Sequence, residues 1–166
     1  ADKLVSLAQR NEQVEVCLSR SRSTTVKAYS AQVESVRSGM SEGVGIRVIV
    51  NGQQGFATAG SLDYEVLAQV IEEARGNLQF AESDPDQGLA EPDGIKSPNL
   101  DLVDSAVLKM SDQEKSSIAI ELEQRCLSAD RRVSSVRSAA WSDGWGEFAL
   151  ASTNGISVYT EGGSCS

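Results

Sequence analysis

The chain reads as an α+β domain, a largely antiparallel sheet with two main helices packed on it. Residues 44–50 set Val44, Ile46, Val48 and Val50 against Gly45, Arg47 and Ile49, which gives a strand with one continuous aliphatic face. The Asn51-Gly52 pair that follows tolerates the two positive φ angles of a tight type I′ turn. Residues 53–58 therefore return antiparallel, with Phe56 directed to the core. Two stretches repeat apolar residues at a helical period, one through Leu67, Val70, Ile71, Ala74 and Leu78, the other through Ile118, Leu122, Cys126 and Ala129.

Taken in order, residues 1–9 form the end of a helix, and their abrupt start implies residues upstream. Residues 13–19, 25–30 and 32–38 are expected as three short strands, followed by the hairpin at Asn51-Gly52. Asp63 stands where a helix cap belongs. All three prolines, Pro85, Pro92 and Pro98, fall within 82–99, which predicts a long surface connection whose role stays open. Ser111 and Glu114 form a capping-box pattern at the head of the second helix, which is expected to pack on the same sheet with Ile118, Leu122 and Cys126 inward. Residues 133–141 and 145–152 are expected as a second hairpin turning at Ser142-Asp143-Gly144. Asn154-Gly155 repeats the device of Asn51-Gly52 and leads into a strand over 156–160.

At 166 residues and 40% hydrophobic content the chain can bury one core, so residues 1–166 read as a single domain. A net charge of −9 and an isoelectric point near 4.5 exclude a sequence-independent grip on phosphate backbones, and no direct nucleic-acid ligand is expected. No apolar run is long enough to span a bilayer, and residues 1–13 are too polar for a secretory signal, so a soluble cytoplasmic protein with no membrane partner is expected.

Cys17, Cys126 and Cys165 match no metal or redox spacing and are read as reduced, the first two as core residues. Histidine is absent, which removes the commonest acid–base and catalytic-zinc chemistries. No catalytic or metal-ligating residue is assigned within this chain. Gly43, Gly45 and the residues around them do not form a dinucleotide fingerprint, because they precede a strand instead of opening a helix. Asp84 and Asp86 lack the order of a calcium loop. Arg20 and Arg22 share one face of an extended segment, where they either place solvated charge on a strand edge or contact an anionic group.

Five segments in order carry a resemblance: LSRSRSTTVKAYSAQVESV, SEGVGIRVIVNGQQGFATAGSLD, NLDLVD, SDQEKSSIAIELEQRCLSADRRV and ASTNGISVYTEGGSCS. Together they resemble the N-terminal domain of the TldD/PmbA family, across nearly the whole chain. The proline-bearing SDPDQGLAEPD loop, the NLDLVD segment and the STNGISV ending are more similar to the PmbA (TldE) branch. The resemblance implies a peptide-processing metalloprotease in which a TldD subunit pairs with a PmbA subunit. The family's HExxxH metal motif lies in a C-terminal domain that is absent here, so no cofactor is expected in this chain. A divalent metal, zinc, is expected in a catalytic partner or the missing domain. This chain would then wall the peptide cavity and form part of the subunit interface, with a TldD-type homologue or a second copy as partner and peptide as substrate. Arg20 and Arg22 would be its peptide contacts. The alternative is an acidic adaptor of the gyrase-modulator type that binds a protein through an open sheet edge and has no enzymatic role.

Overall fold

A computed structural model describes residues 1–95, 98 and 100–166 of the chain. Residues 96, 97 and 99, part of the expected 82–99 connection and the start of NLDLVD, lie outside the described residues. Five strands form one antiparallel sheet in the order β3-β2-β1-β4-β5, with helices packed on it, as the α+β reading expects. They are β1 (Gln13–Tyr29), β2 (Gln32–Val50), β3 (Gln53–Ala59), β4 (Ala139–Ser152) and β5 (Ser157–Cys165). The helices are α1 (Asp2–Val5), α2 (Tyr64–Asn77), α3 (Ser105–Lys109) and α4 (Asp112–Ala129), and a 3-10 turn at Leu78–Phe80 closes α2.

The strands are longer and fewer than their alternation suggests. The expected segments 13–19 and 25–30 are one strand, β1, and the expected strand 32–38 continues into the hairpin as β2. The expected second hairpin is not formed. Residues 142–144 run straight through β4, because Asp143 is engaged by a helix instead of a turn. The tight reversal between β1 and β2 falls on Ser30 and Ala31, at φ 54° and 58°, without a glycine.

The chain divides into two compact units: Ala1–Arg20, Ser41–Leu100 and Glu147–Thr160 form the first, and Ser21–Met40, Asp101–Gly146 and Glu161–Ser166 the second. In the first unit, Val14 and Val16 of β1 and Val44, Ile46 and Val48 of β2 meet Leu67, Val70, Ile71 and Ala74 of α2, with Leu4 of α1 closing the core. The β2–β3 register runs from Val50 opposite Gln53 to Val44 opposite Ala59. That register turns Gly55 and Ala57 inward, so Phe56 is 52% exposed, contrary to the expectation that it faces the core. Its ring lies instead over Gly45 on the opposite face. Asp63 does occupy the N-cap of α2, but its side chain accepts no capping bond, and its backbone carbonyl accepts from Leu67. The connection after α2 folds back on the Asn51-Gly52 turn: Ser83 Oγ donates to the Asn51 carbonyl at 2.9 Å, and the Asp84 N–H donates to the Gly52 carbonyl at 2.9 Å.

An ion pair ties α2 to the residues before β1. Arg75 donates to both carboxylate oxygens of Glu12 at 2.8 Å and to the Leu7 carbonyl at 2.7 Å. This fork holds the Glu12 carboxyl below its ordinary value of 4.5, chiefly through the Arg75 hydrogen bonds. A lowered carboxylate pKa adds stability above the ordinary value and loses it as pH falls through the folded one. Glu12→Gln is therefore expected to flatten the decline of melting temperature below about pH 4.5; an unchanged slope would remove Glu12 as its source.

Gly55 sets a second constraint, since a Cβ there would collide with the Ala74 carbonyl of α2. Gly55→Ala is expected to cost about 3 kcal/mol in urea unfolding, whereas Gly39→Ala, with open space around it, stays within about 1 kcal/mol of the parent. Equal losses would mean that α2 does not rest on β3 as described.

Candidate functional site

In the second unit the inward face of α4 is polar. Lys115, Ala119 and Glu123 are its buried residues, while Ile118 and Leu122 are exposed at 36% and 43% and Cys126 is exposed. The expected inward stripe of Ile118, Leu122, Cys126 and Ala129 thus points outward. The physical reason lies in the sheet, whose backbone and side chains offer partners for charge. Glu123 accepts from the N–H groups of Ser30 and Ala31, each at 2.8 Å, and so holds a turn whose two residues sit in the left-handed region. Lys115 pairs with Asp143 at 3.0 Å, and Asp143 accepts from Trp141 Nε1 at 3.2 Å. Ala119 leaves room between them for Val26 and Ala28 of β1, with Ile120 and Trp141 around them. The capping box is present as expected, Ser111 accepting from the Glu114 N–H and Glu114 from that of Ser111.

Arg20 belongs to the first unit and is neutralised there. It lies 3.3 Å from Glu42 and 3.6 Å from Glu147, and Glu147 also accepts from the Tyr159 hydroxyl at 3.0 Å. Two carboxylates against one guanidinium leave this cluster net negative, which makes it a poor anion contact. On the sheet face carrying Cys17, Arg47 bonds to Glu15 at 2.9 Å and to Gln54 at 3.4 Å. Burial and the Glu15 carboxylate push the Cys17 thiol up, so it stays protonated.

Arg22 belongs to the second unit and has other company. Its guanidinium lies 6.0 Å from the Trp145 ring centroid and donates to the Leu108 carbonyl at 3.2 Å, while Trp145 Nε1 donates to Glu161 at 3.2 Å. A shallow, open depression of about 420 Å³ lies beside it, bounded by Ser21, Ser164 and glycines of β4 and β5. A second, of about 360 Å³, is lined by Leu102, Val107 and Leu108 together with Asp101 and Asp104, and shares Gly144, Gly163 and Ser164 with the first. The sequence singled out the arginines but not Trp145, Glu147 or Glu161, whose role depends on strand pairings with no local signature.

Residues 14–78 match the PmbA/TldA metallopeptidase domain 1, and residues 106–166 match the PmbA/TldA metallopeptidase central domain, together more than half of the chain. The chain belongs to the TldD/PmbA family. It is 24% identical over 149 residues to Metalloprotease PmbA of Escherichia coli O157:H7, covering 89% of this chain and 33% of that protein. It is 24% identical over 144 residues to a Metalloprotease PmbA homolog of Haemophilus influenzae, covering 86% and 32%. The chain thus spans about a third of the length of these curated relatives. Its fold matches a proposed modulator of a DNA gyrase from Thermotoga maritima with a TM-score of 0.83, 21% identity and coverage of 99% of this chain and 37% of the other. It also matches TldE from Thermococcus kodakarensis with a TM-score of 0.75, 19% identity and coverage of 99% and 35%.

The family name implies a metal, and the donor set of this chain does not fit one. Histidine is absent, the three cysteines are free, and among the described residues no group of three or more His, Cys, Asp or Glu is placed to hold an ion. Among the described residues no helix is long and apolar enough to cross a membrane.

The contrast between the two ion-pair types is measurable. Lys115→Met strands Asp143 in a site where the two side chains are only 9% and 14% exposed, and is expected to cost about 3 kcal/mol in urea unfolding. Arg20→Met, at a 43% exposed side chain, is expected to cost under about 1 kcal/mol. A Lys115→Met loss no larger than that of Arg20→Met would show that α4 is not anchored by this pair.

Proposed function

We propose that this chain is the N-terminal part, domain 1 and central domain, of a non-catalytic, PmbA-like subunit of a metallopeptidase assembly, where it helps wall the peptide cavity and form the subunit interface. The observation that carries this reading is the pair of family domain matches, joined by curated relatives named PmbA and a fold shared with a TldE. Peptide-bond hydrolysis at a metal needs ligands that this chain does not supply, so the divalent metal, zinc in this proposal, is held by a TldD-type homologous subunit or by a further domain. Peptide is the substrate, held extended so that its backbone groups pair with a strand edge and its sequence matters little. Of the two arginines, Arg22 is the better peptide contact, since Arg20 is already met by Glu42 and Glu147. A cytoplasmic location for the assembly is part of this proposal, supported by three cysteines whose spacing fits no disulfide scheme.

The test is reconstitution. The protein is purified with a His-bearing homologue and offered an unstructured peptide. Co-elution and cleavage that stops with a chelator and returns with zinc are expected, with neither protein active alone. Association that survives chelation without any cleavage would favour the acidic adaptor instead.

A further inference from the structure

We propose that the Arg22–Trp145 groove of the second unit is a subsite for the free C-terminal carboxylate of a peptide whose last side chain is apolar; this deepens the peptide-processing reading and rests on it. Charge points there first. In a chain with 24 acidic and 15 basic residues, Arg22 is the one charged residue lining the shallow 420 Å³ depression among the described residues. Its guanidinium presents five N–H donors in a planar fork, and the bond to the Leu108 carbonyl fixes that fork while leaving donors over. A carboxylate is the anion that matches two parallel N–H groups, and the Trp145 face beneath holds the guanidinium plane.

The second cavity supplies the other half of the ligand. Leu108 contributes its carbonyl to Arg22 and also lines the 360 Å³ cavity with Leu102 and Val107. A carboxylate at Arg22 is therefore next to a recess whose apolar wall can take the side chain of the same terminal residue, while Asp101 and Asp104, which also line it, disfavour an acidic one. The strand surface between is bare. A Cβ at Gly163 would lie 3.3 Å from the Gly144 carbonyl, so glycine there keeps the backbone approachable. Glu161 sets the opposing charge. It accepts from Trp145 Nε1, orients the ring, and disfavours an anion nearby.

The experiment titrates the 166-residue chain with acetyl-Ala-Ala-Ala-Leu as free acid and as C-terminal amide, following tryptophan fluorescence and heat. The amide is expected to bind about tenfold more weakly, the loss of one charge-assisted pair. Arg22→Gln should bring the free acid to the amide's level and Arg22→Lys should restore part of it, whereas Glu161→Gln, which keeps an acceptor for Trp145, should tighten the free acid. Replacing the terminal Leu by Asp should weaken binding. Equal affinity for acid and amide, or an Arg22→Gln variant that binds as the parent does, would overturn the subsite. Displacement by millimolar inorganic phosphate would overturn it too, as a general anion site. The two readings fail separately. Amidated peptide cut as fast as free acid in the reconstituted assembly sinks the subsite alone, while Arg22-dependent binding without proteolysis by any assembly sinks the peptidase reading and leaves the subsite standing.

Discussion

The tight turn at Asn51-Gly52 is the constraint on which the first unit depends. With φ at 51° and 79°, it reverses the chain in two residues and leaves one register for β3 on β2. That register decides which side chains face α2, and it selects Gly55 and Ala57, the smallest available. A helix can approach a strand this closely only where no side chain intervenes, so the turn, through Gly55, sets the depth of α2 in the core. The Ser83 and Asp84 bonds to the turn carbonyls then fix where the connection after α2 begins. A Cβ at Gly52 would lie 2.5 Å from the Asp84 carbonyl, so the same glycine serves the turn and the chain crossing it.

The second unit rests on a different principle. Its apolar cluster is small, built from Val26, Ala28 and Ala119 with Ile120 and Trp141 against them, and the specificity of α4 comes from charge. Glu123 is 2% exposed, and its two oxygens are satisfied by the N–H groups of Ser30 and Ala31, without which its buried carboxylate would lose both these bonds. Such contacts add little net energy when made and cost much when broken, so they fix the rotation of the helix about its axis more than they deepen its stability. The consequence is an amphipathic helix turned with its apolar stripe outward.

What the sequence disclosed and what it hid divide along this line. The Asn51-Gly52 turn, the periodic face of α2 and the Ser111–Glu114 capping box are local, each set by residues within a few positions of one another, and each is found in the structure. The strands β1 and β2 were read as fragments because residues 19–23 and 36–41 are exposed on both faces and carry no alternation. The orientation of α4 departs from its apolar periodicity, which points inward only where the inside is apolar. Here Lys115 and Glu123 have partners in Asp143 and the Ser30-Ala31 turn, far along the chain. Arg20 and Arg22 were visible as a pair with one character, yet distant residues give them opposite surroundings.

That divergence bears on how, in the proposed assembly, a chain whose described residues form no metal site would contribute to hydrolysis. Binding energy accelerates a reaction when it positions the reacting bond, and this can be supplied far from the metal, because an extended peptide loses its freedom wherever it is held. Arg20 has little to offer such a peptide, since an incoming carboxylate would meet Glu42 and Glu147 as well as the guanidinium. Arg22 is bonded to a neutral carbonyl and an aromatic face, both of which fix the guanidinium without cancelling its charge. A positive charge fixed by neutral groups keeps its field for a ligand, and in an acidic chain that field is felt most by a negative group close enough to escape the surrounding carboxylates. For the proposed subsite, contact-range recognition of a terminal carboxylate would therefore be favoured over long-range attraction of a charged segment.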